Sequence, residues 1–385
     1  MTRPILPGSS IGILGGGQLG RMLALAARAM GYSPHVLCPE GRSPAGQVAD
    51  REVVAAYDDL DAVRRFAAGV AAVTFEFENV PAAAALAAAA CCPVHPSAEV
   101  LEVCQHRLRE KRWLAARGLP TADFRSVRTP EELRAAIDAV GLPAVLKTSG
   151  FGYDGKGQRR VTTRGEAEAA LADLGGELIF ERFVDFTAEL SVVAARSTAE
   201  DLVTYGPVEN RHQRHILDLT LAPAGLPPSL SARARELARA VLEALDVVGV
   251  LCVELFLTRQ GDLLVNELAP RPHNSGHYTI EACETSQFEQ QLRAVCGLPL
   301  GDATQRAPAA MANLLGDLWW PDPALTAPRE PRWPRLLGRP GVHLHLYGKS
   351  DPRPGRKMGH LTVLAADAET AGLAAVAART ALLEG

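Results

Sequence analysis

Four glycines fall within eight residues, at Gly150, Gly152, Gly155 and Gly157, and the segments on either side read as strands. Ala144-Val145-Leu146-Lys147 leads in, and Arg159 to Val161 leads out. Ser149 to Gln158 is therefore a strand–loop–strand flap, unlike the strand–loop–helix of a P-loop. Glycine opens left-handed backbone conformations to such a loop and bares its N–H groups. A polyphosphate asks for such donors, together with cations that offset its charge. Lys147 and Lys156 supply the cations. A hairpin with incidental lysines is the plainer alternative.

Composition narrows the partners. The 385 residues carry a formal net charge of −4, with 47% hydrophobic and 22% charged residues. Such a length implies two or three domains. No broad basic field is present for a nucleic-acid backbone, so neither DNA nor RNA is expected as a partner. The seven cysteines (Cys38, Cys91, Cys92, Cys104, Cys252, Cys283 and Cys296) form no CxxC pair. Their odd number argues against a disulfide scaffold and for reduced thiols in a cytoplasmic protein. No segment has the roughly 20 apolar residues that span a bilayer. The first apolar run is a short strand ending in glycines, not a signal peptide.

That strand, Ile11 to Leu14, is followed by Gly15-Gly16-Gly17-Gln18-Leu19-Gly20, a helix from Arg21 to Met30 and a strand from His35 to Leu37. Such an order opens a doubly wound α/β unit. The glycines let a helix N-terminus approach an anion, though a plain tight turn explains them as well. A strand from Val70 to Phe75 runs into Glu76-Phe77-Glu78-Asn79, a carboxylate pair at the strand edge where open sheets bind ligands. Residues 101 to 117 read as one charged helix. Thr129 and Pro130 open a helix over 130–140. Further helices are expected over 164–174 and 233–246. Leu178 to Val184 reads as an apolar strand that enters a hinge fit for a planar base, with Glu181 near its amino edge. A strand follows over Glu189 to Ala195.

Gly249 to Thr258 and Asp262 to Leu268 form two strands around Arg259-Gln260-Gly261. A two-residue turn at Gln260–Gly261 pairs residues whose numbers sum to 521, and so sets Glu254 opposite Glu267. Like charges about 4 Å apart repel by roughly 4 kcal/mol at an effective dielectric of 20. A hard cation that also binds phosphate, Mg²⁺, relieves this best. A register slip of one would part the acids. The next loop, Ala269 to His277, crowds Arg271, His273, Asn274, Ser275 and His277 beside that pair and can grip a small planar anion. Residues 301 to 340 look like connecting structure. Val342 to Tyr347 alternates as a strand, and Leu361 to Ala365 reads as another. Between them lies a Pro-Gly-constrained basic turn, whose Lys349, Arg356 and Lys357 either converge on a phosphate or form a solvated loop. Residues 366 to 385 carry no usable motif.

Taken in order, Gly15–Met22, Thr74–Val80, Gly152–Gln158, Asn266–His277 and Pro354–His360 resemble the 5-(carboxyamino)imidazole ribonucleotide synthetases, ATP-grasp enzymes of microbial purine synthesis. The resemblance implies an α/β protein: an N-terminal doubly wound parallel-sheet domain (1–105), a central ATP-grasp fold of two α+β subdomains (106–300) and a small C-terminal domain (301–385), assembled as a homodimer. It implies that Arg107, Lys147, Gly152, Tyr153, Asp154, Gly155, Lys156, Gly157, Gln158, Glu181, Arg182, Phe183, Val184, Glu189, His212, Asn266 and Glu267 bind ATP. Glu254 and Glu267 would hold Mg²⁺. Ala269 stands where many ATP-grasp enzymes carry asparagine, so Asn266 or phosphate oxygens would complete the metal's shell. Arg271, His273 and Lys357 would act in catalysis. Gln18, Leu19, Gly20, Glu76, Asn274, Ser275, Lys349 and Arg356 would bind the ribonucleotide.

The implied reaction is two-step. Bicarbonate takes the γ-phosphoryl group of ATP, and the amine of 5-aminoimidazole ribonucleotide then captures the carboxyl group. A ligase using formate on a ribonucleotide would share the flap and the acids. A nicotinamide-dependent oxidoreductase would leave the flap, the acids and the basic turn unexplained. A silent nucleotide-binding protein would not need them.

Overall fold

A computed structural model describes residues 3–150, 157–322 and 324–383. Among the described residues, sixteen strands build three sheets. The first holds β1 (Ser10–Leu14), β2 (Ser33–Cys38), β3 (Arg51–Val54) and β4 (Ala72–Phe75), parallel in the order β3-β2-β1-β4. Ile11, Ile13 and Leu14 are fully buried, as expected of a parallel strand covered on both faces. The helix Gln18–Ala29 follows the glycine loop and packs Leu19, Met22 and Leu23 on this sheet.

The second sheet is antiparallel: β5 (Phe124–Val127), β6 (Ala144–Thr148), β7 (Gln158–Val161) and β8 (Leu178–Arg182), in the order β5-β8-β6-β7. Helices Pro130–Val140 and Arg164–Leu174 cover it. Each is N-capped by a threonine, Thr129 accepting from the Glu132 amide and Thr163 from the Glu166 amide.

The third sheet has eight strands in the order β13-β12-β9-β10-β11-β14-β16-β15. They are β9 (Phe186–Arg196), β10 (Leu202–Gln213), β11 (Ile216–Ala222), β12 (Gly249–Thr258), β13 (Leu263–Ala269), β14 (Ala309–Leu315), β15 (Val342–Leu346) and β16 (Lys357–Leu364). Helix Pro228–Ala244 packs Ala234, Ala238 and Val241 against its first half. Helix Gln287–Val295 sits between this sheet and the N-terminal one, with Gln291 Nε2 donating to Thr74 Oγ1 at 2.8 Å.

Four expectations change. The charged helix over 101–117 is two helices, Ala98–Cys104 and Arg107–Ala116. The Arg107 amide donates to the Ser149 carbonyl, and His106 bridges Gly150, so the flap base takes the hydrogen bond that would have continued the helix. No proline or glycine marks that break. Residues 301–340 are not merely connecting: β14 inserts beside β11 and joins the central and C-terminal segments in one sheet. Its Ala-rich run is buried on both faces, so it lacks the alternation that signals a strand. β16 begins at Lys357, placing that lysine on a strand end rather than in the turn. The motif-free C-terminus forms helix Ala368–Thr380, capped by Asp367 and packed on β14 and β16 through Ala371, Ala375 and Ala378.

Candidate active site

The three sheets converge on a cleft of about 900 Å³. On its β6–β8 wall, Lys147 Nζ and Glu181 Oε2 form an ion pair at 2.8 Å. Burial pushes the Glu181 carboxyl up, but Lys147 and Lys111 outweigh it and hold the acid below its ordinary range. Glu181 lines the cleft, and its Oε1 is buried without a partner among the described residues. Arg182, Phe183 and Val184 line the same wall, as do Gln158 and Arg107, whose guanidinium donates to the Thr148 carbonyl at 2.8 Å. Gly152, Tyr153, Asp154, Gly155 and Lys156 lie outside the described residues. Gly157, at φ +69°, brings the chain back against Thr148. Phe186 and Phe256, which also line the cleft, were given no role by the sequence. Phe186 and Phe256 stack at 4.7 Å, and Arg160 lies 4.1 Å over Phe183. Glu189 and His212 form an ion pair across β9 and β10.

Glu254 does face Glu267, but by a different route from the one the turn suggested. Near the turn, pairs such as Phe256–Leu264 sum to 520, because the loop has three residues, Arg259, Gln260 and the left-handed Gly261. A β-bulge at Asn266 then adds one residue and restores the sum of 521 at Glu254–Glu267. In a regular strand adjacent side chains point to opposite faces. The bulge lets Asn266 and Glu267 both line the cleft.

His273 holds Glu254: Nε2 lies 2.9 Å from Oε1, and Nδ1 lies 2.8 Å from Ser275 Oγ. Burial opposes a charged ring, but the Cys252 sulfur and the Glu254 carboxylate prevail and push the His273 pKa up to about 10. Glu254 is held down, since the His273 charge outweighs burial. Glu267 is pushed up by burial and by the Glu254 charge. Two facing acids driven apart in this way fit a cation between them, and the all-oxygen donor set suits Mg²⁺.

Arg271 is ion-paired to Glu78, so the second acid of the Glu76–Glu78 pair holds an arginine of the chain. Burial alone would raise the Glu78 carboxyl; Arg271 overrides it and takes it down to about 2. Glu76 behaves differently. Its carboxylate accepts from the Gly17 amide and, at 2.8 Å, from the Gly20 amide. The helix N-terminus thus already holds an anion of the chain's own. A Cβ at Gly15 or Gly17 would collide with the Glu76 side chain, so these glycines admit Glu76 rather than a ligand.

Gln18, Leu19, Glu76, Asn274 and Lys357 line the cleft. Gly20 does not, its amide being spent on Glu76. Ser275 does not either: it is fully buried behind His273, hydrogen-bonded to Ser191 Oγ at 2.7 Å. His277 lies in the core, 4.6 Å from the His360 ring. Asn274 keeps both Oδ1 and Nδ2 buried without partners among the described residues. Lys349 Nζ reaches Gln18 Oε1 at 2.8 Å and the Lys357 carbonyl at 2.7 Å. Burial and repulsion from Arg356 and Lys357 lower its pKa to about 8, the electrostatic mark of cations gathered in one place. Arg356 donates to the Asp351 carbonyl at 2.7 Å and lies outside the cleft lining.

Three family models match successive stretches of the chain: a ribonucleotide synthetase preATP-grasp domain over residues 9–105, an ATP-grasp domain over 112–288 and a phosphoribosylaminoimidazole carboxylase C-terminal domain over 309–372. The N5-carboxyaminoimidazole ribonucleotide synthase of Bacillus subtilis is 44% identical over 364 residues, which span 94% of this chain and 92% of that protein. The chain belongs to the N5-carboxyaminoimidazole ribonucleotide synthase family. It is an ATP-grasp ligase of purine biosynthesis. The structure agrees. A crystal structure of an N5-carboxyaminoimidazole ribonucleotide synthetase in complex with ADP superposes with a TM-score of 0.92 at 42% identity, covering 99% of this chain and 98% of the other. The Aspergillus clavatus N5-carboxyaminoimidazole synthase, in complex with ADP and the aminoimidazole ribonucleotide, gives a TM-score of 0.87 at 33% identity over 97% of this chain and 98% of that one. Among the described residues no helix is long and apolar enough to cross a membrane.

Proposed function

We propose that this chain uses ATP and bicarbonate to carboxylate the amine of 5-aminoimidazole ribonucleotide, with the chemistry divided among named residues of the cleft. The observation that carries the reading is one cavity in which facing carboxylates, Glu254 and Glu267, adjoin an anion-handling set, Arg271, His273 and Lys357. Glu254, Glu267 and Asn266 would hold Mg²⁺, which when bound offsets phosphate charge.

A bicarbonate oxygen attacks the γ-phosphorus, the bond to the β-phosphate oxygen breaks, and ADP leaves with carboxyphosphate formed. The ribonucleotide amine then attacks the carboxyl carbon, inorganic phosphate departs, and the nitrogen gives up a proton. Arg271 is held rigidly by Glu78 and by its bond to the Pro272 carbonyl at 3.1 Å, so its remaining N–H groups are aimed without reorganisation. His273 spends Nε2 on Glu254 and Nδ1 on Ser275, so it acts on the anion through its positive charge rather than as a base. The open acceptor of Glu181 suits an exocyclic amino group of the nucleotide base, against the Phe183 and Phe256 wall. Asn274 offers an unspent donor and acceptor to the imidazole substrate. Lys349, with Arg356 nearby, suits the ribonucleotide phosphate.

Seven free cysteines, five of them buried, support the cytoplasm as the compartment. A homodimer is the assembly proposed, and sedimentation equilibrium tests it. The reaction itself is tested by ADP release from the protein with MgATP and bicarbonate, with and without 5-aminoimidazole ribonucleotide. Stimulation by the ribonucleotide with carboxylated product is the expected result. Release indifferent to the ribonucleotide would leave an ATP-grasp enzyme with another acceptor.

A further inference from the structure

β13 is an edge strand of the large sheet, so its outward backbone groups need partners beyond β12. Helix Arg107–Ala116 and the segment after it supply them. The Leu268 amide donates to Glu110 Oε2 at 3.0 Å. The Val265 carbonyl accepts from Lys111 Nζ at 3.0 Å and from Thr121 Oγ1 at 2.9 Å, and these two are themselves joined at 2.8 Å. The Val265 amide donates to the Pro120 carbonyl at 2.8 Å. Between these anchors lie only Asn266 and Glu267, the residues that the bulge turns into the cleft.

Glu110 and Lys111 are each only 2% exposed. Burying an acid and a base is costly, and a helix does not need either at these positions. Neither caps its own helix, which His106 caps. Their polar atoms are spent on β13, on opposite sides of the bulge. A bulge leaves one residue unpaired and disrupts the ladder locally, so the strand there relies on other partners.

We propose that Glu110 and Lys111 are positioning residues for the reaction: they clamp β13 on both sides of the Asn266 bulge and thereby hold the Asn266 and Glu267 side chains in the nucleotide cleft. This inference rests on the reading of Glu267 as a ligand of the magnesium–nucleotide.

The test is steady-state kinetics on the full-length enzyme, with MgATP, free Mg²⁺ and the ribonucleotide varied separately. Glu110→Ala removes the acceptor, whereas Glu110→Gln keeps a side-chain carbonyl for the Leu268 amide. Glu110→Ala is expected to raise the MgATP KM and the half-saturating Mg²⁺ about tenfold and to leave the ribonucleotide KM within about twofold, with Glu110→Gln close to the parent. Thr121→Val weakens the other anchor with little change of shape, should raise the same two constants about threefold, and decides the matter if Glu110→Ala does not fold. Unchanged MgATP and Mg²⁺ constants with only a lower Tm would make the pair merely structural and overturn the proposal. So would a Glu110→Gln defect equal to that of Glu110→Ala. Glu267→Gln is run alongside: if it leaves the Mg²⁺ dependence unchanged, the metal reading fails by itself, whatever the Glu110 variants do.

Discussion

At the scale of single residues, the cleft is built from charges that hold one another. Burial opposes a charge on His273, but the Cys252 sulfur and the Glu254 carboxylate, 2.9 Å from its Nε2, push its pKa up to about 10. NMR of labelled histidine should show a His273 imidazolium at pH 8.5 in the ligand-free protein, and Glu254→Gln should lower the pH at which that ring loses its proton. A neutral ring in the parent at that pH would contradict the pairing. Glu78 carries the opposite sign of linkage. Its pKa falls from the ordinary carboxylate range to about 2 beside Arg271. Its stabilisation is therefore complete above the unfolded value of about 4.5 and is lost as the pH falls through about 2. Melting curves of Glu78→Gln and the parent should differ at pH 7 and draw together towards pH 2. Ser275 illustrates the limit of reading single residues. Its place in a polar loop suggested a substrate contact, but its hydroxyl lies in the core behind His273.

Among the elements, the β12–β13 hairpin makes the most instructive case. Facing glutamates were legible because two strand-like runs flank a short turn. The sequence expects a two-residue turn; the turn has three residues, and the bulge at Asn266 restores the Glu254–Glu267 pairing. Nothing in the run Leu263–Ala269 announces a bulge, and the side chains that bond β13 on either side of it, Glu110 and Lys111, lie more than a hundred residues away in sequence. Deleting Asn266 should remove the bulge while leaving Glu254 opposite Glu267, and should lower ADP release up to about 100-fold through loss of the Asn266 side chain from the cleft and a changed aim of Glu267. Circular dichroism should show the fold retained. The basic turn before β16 carries a pH prediction. Lys349 loses its proton near pH 8, so the KM for the ribonucleotide should rise as the pH passes 8, and Lys349→Met should flatten that rise. A KM independent of pH from 7 to 9 in the parent would detach Lys349 from the substrate phosphate.

At the scale of the whole molecule, the C-terminal segment is a structural part of the central sheet. β14 joins β11, and Arg379 of the last helix pairs with Asp218 of β11 at 2.6 Å, both side chains largely buried. Arg379→Ala strands a buried carboxylate and should cost about 3 kcal/mol of stability, read by urea unfolding. Asp218→Asn in the same background should recover part of it. The C-terminal turn also reaches the N-terminal domain, where Gln47 Nε2 donates to the Gly348 carbonyl at 2.8 Å and Lys349 reaches Gln18. Segments more than 300 residues apart in sequence thus close one side of the cleft.

Local chemistry in the chain by itself determined the parallel N-terminal unit, the Thr129-capped helix, the two strands on either side of the glycine-rich stretch, and the facing of Glu254 and Glu267. Periodicity and capping act within a few residues, and they leave their mark in the order of the letters. Tertiary structure alone decided which of those letters face the cleft. It filled the first helix N-terminus with Glu76, withdrew Ser275 and His277 into the core, broke a helix at Gln105 to serve the flap base, and turned Asn266 and Glu267 to one side. Each of these outcomes depends on a hydrogen bond or a packing contact between distant segments. Such bonds form because buried polar groups must find partners wherever the fold brings them, and local sequence carries no record of which partner that will be.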